Sequence, residues 1–148
     1  MDILQNKFNI INTSLINGKY NKITIDKKDL KNCIYFLKYT GEFDADMLLS
    51  ITAIDWVKKI ELIYDVFSSK LNRHKFISVC TDSTNPVVDS VSHIFKSAEY
   101  DEREIFDLFG VEFDGNNNLK RLLMPNSTIG NPLLKTFCQS DERLAWNE

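Results

Sequence analysis

The residues best equipped for chemistry stand together at positions 99–110: Glu99-Tyr100-Asp101-Glu102-Arg103-Glu104-Ile105-Phe106-Asp107-Leu108-Phe109-Gly110. This stretch holds five carboxylates and one arginine. On a helix, Glu99, Arg103 and Asp107 fall at i, i+4 and i+8, so Arg103 is expected to brace a carboxylate one turn on either side. Glu102 shares a stripe with Ala98, Ile105 and Phe109, which puts a carboxylate at the edge of the apolar face. A partly buried carboxylate needs a partner, and Arg121 is the candidate. Two chemistries fit: a carboxylate pair for acid–base work or a hard metal ion, or a solvated acidic face held by ion pairs. No second acid cluster and no well-placed histidine completes a catalytic set, which favours the ion-paired face.

The rest of the chain adds little chemistry. Cys33, Cys80 and Cys138 are isolated, with no C-x-x-C spacing for zinc or an iron–sulfur cluster. His74 and His93 lack metal-spaced partners. Five glycines and no G-x-G-x-x-G or G-x-x-x-x-G-K-S/T pattern leave no phosphate-cradling loop. The net charge is −3 over 148 residues, which argues against nucleic-acid binding. The N-terminus does not read as a signal peptide, and no apolar run reaches the roughly 18–20 residues of a membrane span. The expectation is a soluble, cytoplasmic chain.

The elements that must position these residues follow from periodicity. Ile3, Leu4, Phe8, Ile11 and Leu15 approximate one helical face over 2–16, ended by Asn17-Gly18. Residues 20–25 alternate as a short strand. Asp26 is placed to cap a helix with Leu30, Cys33, Ile34 and Leu37 on its apolar face and Gly41 as its stop. Runs at 47–56, 60–68 and 75–81 predict three strands in an antiparallel meander. Asn85-Pro86 opens a predicted helix carrying Val87, Val88, Val91, Ile94 and Phe95. Ser97 caps the acidic helix, Gly110 closes it, and 111–113 forms a last short strand. The expected fold is α+β, two layers with helices on a mixed or antiparallel sheet.

From Asp114 the periodicity disappears, yet Leu119, Leu122, Leu123, Met124, Ile129, Leu133, Leu134, Phe137, Leu144 and Trp146 remain. A disordered tail should be poorer in such residues. The chain therefore divides into a domain over 1–113 and an extended arm over 114–148 that packs on its own domain or on another protein.

The run 102–115 resembles the signature of the 30-kilodalton subunit of respiratory complex I, the NADH–quinone oxidoreductase. The family pattern is E-R-E-x-x-D-L/M-F/Y-G-I/V-x-F-x-G, followed by H-P-x-L-R-R. Glu102, Arg103, Glu104, Asp107, Phe109, Gly110, Phe113 and Gly115 stand at its positions. Arg121 matches the later arginine, Pro125 ends an L-M-P, and Gly130, Pro132 and Lys135 follow the family's G-x-P-L-R-K-D. Asn116-Asn117 replaces His-Pro, and Leu134 and Thr136 replace the Arg and Asp of the last motif.

The resemblance implies a cofactor-free structural subunit that packs on the large, 49-kilodalton, hydrogenase-large-subunit-like partner and on its neighbours in the hydrophilic arm. Iron–sulfur clusters, flavin and the NADH and quinone sites would belong to other subunits. The assembly would sit on the cytoplasmic side of the membrane, with this chain touching lipid only indirectly. The same domain occurs in energy-converting nickel–iron hydrogenases and formate hydrogenlyase-type complexes, where a nickel–iron centre would lie elsewhere. Arg103 would brace the helix, Phe109 and Phe113 would anchor the turn, and Arg121 and Lys135 would pair with carboxylates of the domain or partner. A stand-alone metal-dependent enzyme using the 99–107 carboxylates is the remote alternative.

Overall fold

A computed structural model describes residues 4, 7–16, 18 and 20–138. Strands β1 (Ile10–Ile16) and β2 (Tyr20–Ile25) are followed by a short 3-10 turn and helix α1 (Leu30–Tyr39). Then come β3 (Met47–Asp55), β4 (Lys59–Ser68), β5 (Arg73–Asp82), β6 (Val87–Asp89), α2 (Ala98–Phe109) and β7 (Glu112–Asp114). Five strands form a mixed sheet in the order β1-β2-β5-β4-β3, and β6 and β7 form a separate parallel pair. The fold is α+β.

Alternation decides which face is buried. Ile23, Ile77, Tyr64 and Ile51 lie side by side across β2, β5, β4 and β3, and Ile25, Val79, Leu62 and Ala53 form the next row. These rows share one core with Leu30, Cys33, Ile34 and Leu37 of α1 and Ala98 and Ile105 of α2. The opposite face carries Lys22, Phe76 and Asp65 in one row and Thr24, Ser78 and Ile63 in the next. The meander β3-β4-β5 is antiparallel as the sequence predicts, while β2 joins β5 in parallel. Asp26 accepts the Lys28 N–H at 3.0 Å and so caps the turn into α1.

Three expectations need correction. The helix predicted over 2–16 is, over Ile10–Ile16, a strand paired with β2, preceded by a turn in which Lys7 and Phe8 donate to the Leu4 carbonyl. Ile10, Ile11, Thr13 and Ile16 are β-branched, and Asn-Gly is a hairpin signal as readily as a helix stop. The helix predicted after Pro86 is β6, because Val87-Val88 finds β7 beside it in parallel. Ser97 makes no cap bond; its hydroxyl donates instead to the Leu48 carbonyl at 3.1 Å. Together with Asp101, which accepts the Ile51 N–H at 3.0 Å, it ties α2 against the outer strand β3. Leu144 and Trp146 lie outside the described residues. Among the described residues no helix is long and apolar enough to cross a membrane.

Candidate functional site

Helix α2 places its polar residues where residues 116–124 return past it. Glu102 is fully buried. Its carboxylate accepts the Ser90 hydroxyl at 2.7 Å, the Val91 N–H at 2.8 Å and the Asn116 amide at 2.8 Å. Burial pushes its carboxyl above the usual carboxylate range, against the pull of those donors. The buried Tyr64 hydroxyl has no hydrogen-bond partner among the described residues. Burial raises its phenol well above the usual range, helped by the charges of Glu102 and Asp89.

The stripe Glu99, Arg103, Asp107 does something other than brace itself. Glu99 takes the Lys96 ammonium and accepts the Asn118 amide at 2.8 Å. Arg103, buried, donates to the carbonyls of Lys120 and Arg121, each at 3.4 Å, with its guanidinium 5.7 Å from the Tyr100 ring centre. Asp107 Oδ2 accepts three successive backbone N–H groups, from Leu122 at 3.0 Å, Leu123 at 2.7 Å and Met124 at 2.8 Å. Its Oδ1 accepts Arg121 Nη1 at 2.8 Å. Burial alone would raise this carboxyl, but the three amides and the guanidinium outweigh it and hold it below the usual range.

One helical face thus grips the amide of Asn118, two carbonyls and three N–H groups of the returning chain. The expected brace of Arg103 on Glu99 and Asp107 is corrected accordingly. So is the expected Glu102–Arg121 pair, because Arg121 goes to Asp107 and its Nη2 reaches the carbonyls of Thr128 at 3.0 Å and Gly130 at 3.3 Å.

The C-terminal end of α2 is closed by the same returning segment. Gly110 has φ +73, and a Cβ there would lie 2.7 Å from Asn131 Oδ1. The Asn131 amide donates to the carbonyls of Phe106 at 3.2 Å and Asp107 at 3.0 Å. Leu133 donates its N–H to the Leu108 carbonyl at 3.0 Å. Lys135 N–H reaches Asp55 Oδ2 at 2.8 Å, so the segment also ties to the end of β3.

Phe113 is in the core, and Phe109 packs against it. Gly115 turns with φ +91. Glu104 and Pro125 are exposed, Pro132 is half-buried, and the Lys135 ammonium lies 6.0 Å from the Trp56 ring centre. Asn116, Asn131 and Asp55 are contributors that sequence reasoning missed. The Asn116-Asn117 departure from the His-Pro pattern is the one signal for Asn116.

Four of the five carboxylates of the 99–107 cluster are engaged within the fold. Each of Glu99, Asp101, Glu102 and Asp107 is occupied by donors from a different direction, so they do not converge on a shared ligand. Among the described residues no group of three His, Cys, Asp or Glu side chains is placed to hold a metal ion. What the arrangement does display is apolar surface. Leu122, Leu123, Ile129 and Leu133 are exposed on the gripped segment, Ile129 at 92%.

Comparison with known proteins matches residues 23–143 to the family described as "Respiratory-chain NADH dehydrogenase, 30 Kd subunit". A relative from Trichlorobacter lovleyi, named as an NADH-quinone oxidoreductase subunit, is 33% identical over 119 residues, covering 78% of this chain and 72% of that one. NADH-ubiquinone oxidoreductase subunit 9 of Dictyostelium citrinum is 30% identical over 135 residues, covering 86% of this chain and 64% of the relative. A trypsin-resistant fragment of Nqo5 shares the fold with a TM-score of 0.65 at 19% identity, over 73% of this chain and 89% of the fragment.

Proposed function

The chain belongs to the family of the 30-kilodalton subunit of the respiratory-chain NADH dehydrogenase, and from that premise we propose that it serves as a structural subunit of a complex I-type NADH–quinone oxidoreductase. In this reading it binds no cofactor. It packs on the large, 49-kilodalton-like subunit at the quinone site, on the cytoplasmic side of the membrane. The domain over 1–113 is the scaffold and residues 114–148 are the docking arm. The names of the relatives favour this assembly over a nickel–iron hydrogenase.

The observation that carries the proposal is the grip of Arg103 and Asp107 on residues 120–124. A carboxylate and a guanidinium are buried to hold a loop whose own large apolar side chains face out. Desolvating charged groups to fix an exposed loop is costly for stability alone; it makes sense when the loop must be rigid before a partner arrives.

The test is substitution of the display rather than of the grip. Ile129→Asp and Leu123→Asp should leave the unfolding free energy within about 0.5 kcal/mol of the parent. Both should sharply reduce incorporation into the membrane-bound complex, read on native gels of detergent extracts. Full incorporation of both variants would overturn the docking role of the arm.

A further inference from the structure

The turn between β3 and β4 meets the gripped segment only through Lys135, at Asp55 and Trp56, and carries two exposed apolar residues at its tip. Its tip is Asp55-Trp56-Val57-Lys58. Val57 has φ +72, a left-handed conformation that disfavours a β-branched residue. The Asp55 carboxylate fixes it by accepting the Val57 N–H at 2.6 Å. Trp56 and Val57 are both about half exposed, at 52% and 53%.

The indole is nonetheless tethered. Its Nε1–H donates to Glu61 Oε2 at 3.0 Å, and the Lys135 ammonium approaches its ring. Beside it opens a groove of about 490 Å³ on the helix-free face of the sheet, lined by Ile11, Lys22, Thr24, Lys59 and Cys80.

Charge defines what this surface accepts. The carboxylates around the groove are already engaged. Glu61 takes Lys22 at 2.5 Å and the Ser78 hydroxyl at 2.6 Å. Asp82 accepts the N–H and hydroxyl of Thr84. Asp55 accepts Val57 and Lys135. Lys58 and Lys59, both exposed, close no ion pair among the described residues. A tethered, half-exposed tryptophan beside a groove whose polar groups Lys22 and Glu61 are paired with each other, next to two such ammonium groups, has the composition of an interface anchor.

We propose that the Trp56-Val57 tip and its groove receive a segment of a partner polypeptide that presents an apolar side chain flanked by carboxylates. The apolar side chain enters the groove against Trp56, and the carboxylates meet Lys58 and Lys59. From its left-handed position Val57 projects an isopropyl group where glycine would project nothing. This inference rests on the reading of the chain as a subunit of a larger assembly, and it adds a second docking element to the arm.

The test uses the full chain in cells that depend on it for the complex. Trp56→Ala should weaken incorporation roughly 30-fold, the loss typical of an anchor tryptophan. The double variant Lys58→Glu/Lys59→Glu should incorporate less than the parent, with the defect largest in extracts prepared at low salt. Val57→Gly should melt at or above the parent temperature when purified, yet incorporate less well; a purely structural valine could not give that opposed pair. If Trp56→Ala fails to fold, the other two variants carry the test.

Incorporation of Val57→Gly and the lysine double variant at the parent level, while Ile129→Asp is excluded, would overturn this inference and leave the assembly reading standing. Absence of the unmodified chain from any complex would overturn both. Trp56-dependent binding of the purified chain to phosphatidylglycerol vesicles would overturn it in favour of a lipid surface.

Discussion

Asp107 and Arg121 meet at 2.8 Å across 14 residues of chain, and the same carboxylate collects the next three backbone N–H groups. The pair therefore sets the path of the chain where it returns past α2. Asp107→Ala removes an acceptor from four donors at once and should cost about 3–5 kcal/mol. Arg121→Ala leaves the three amides in place and should cost about 1–3 kcal/mol. Urea denaturation of the two variants checks the ranking; a larger loss for Arg121→Ala would contradict it.

The close of α2 gives a sharper test of packing. Gly110 needs its left-handed φ and also lies where Asn131 leaves no room for a Cβ. Gly110→Ala should cost more than the about 1–2 kcal/mol of the backbone conformation alone. In an Asn131→Ala background the steric part disappears, so the same substitution should cost less. A double-mutant cycle measures the difference; strictly additive losses would show that Asn131 does not crowd the position.

How much of the fold is readable in the sequence depends on the range of the signal. The meander, α1 and α2 are legible because their apolar residues repeat locally, as Ile60, Leu62, Tyr64 and Val66 do on β4. Strand β1 reads as a helix because Ile11 and Leu15 have helical spacing, yet both are exposed, and only pairing with β2 decides the matter. Strand β6 also reads as a helix because its partner β7 lies 25 positions on, Val87 facing Glu112.

The 99–107 cluster is found by type and spacing, but its partners are not. Arg103 and Asp107 bond mainly to backbone groups of 120–124, which carry no residue-specific signal. Asn116 and Asn131 act through side-chain amides that look like ordinary loop residues in a sequence.

Two of the buried carboxylates, Asp107 and Glu102, should leave opposite marks on stability against pH. Asp107 is held below its ordinary value of 3.8, so its contribution is present above that pH and lost as pH falls through the folded value. Glu102 is raised above its ordinary 4.5, so its contribution is full below 4.5 and lost as pH rises through the folded value. Acidification from neutrality should first stabilise the parent relative to Glu102→Gln, then destabilise it relative to Asp107→Asn below about 3.8. Urea unfolding over a pH series separates the two, and parallel curves for parent and Glu102→Gln would contradict the assignment to Glu102.

What decides the proposed role is whether this chain docks on the large quinone-site subunit through its gripped segment. Chemical cross-linking of the intact complex, followed by peptide mass spectrometry, answers that, because Lys120 and Lys135 flank the segment and are exposed. Both lysines should cross-link to the large subunit, and both cross-links should be lost when Ile129→Asp is introduced. Cross-links from Lys120 and Lys135 solely to other subunits, or their persistence in the Ile129→Asp complex, would contradict the docking role.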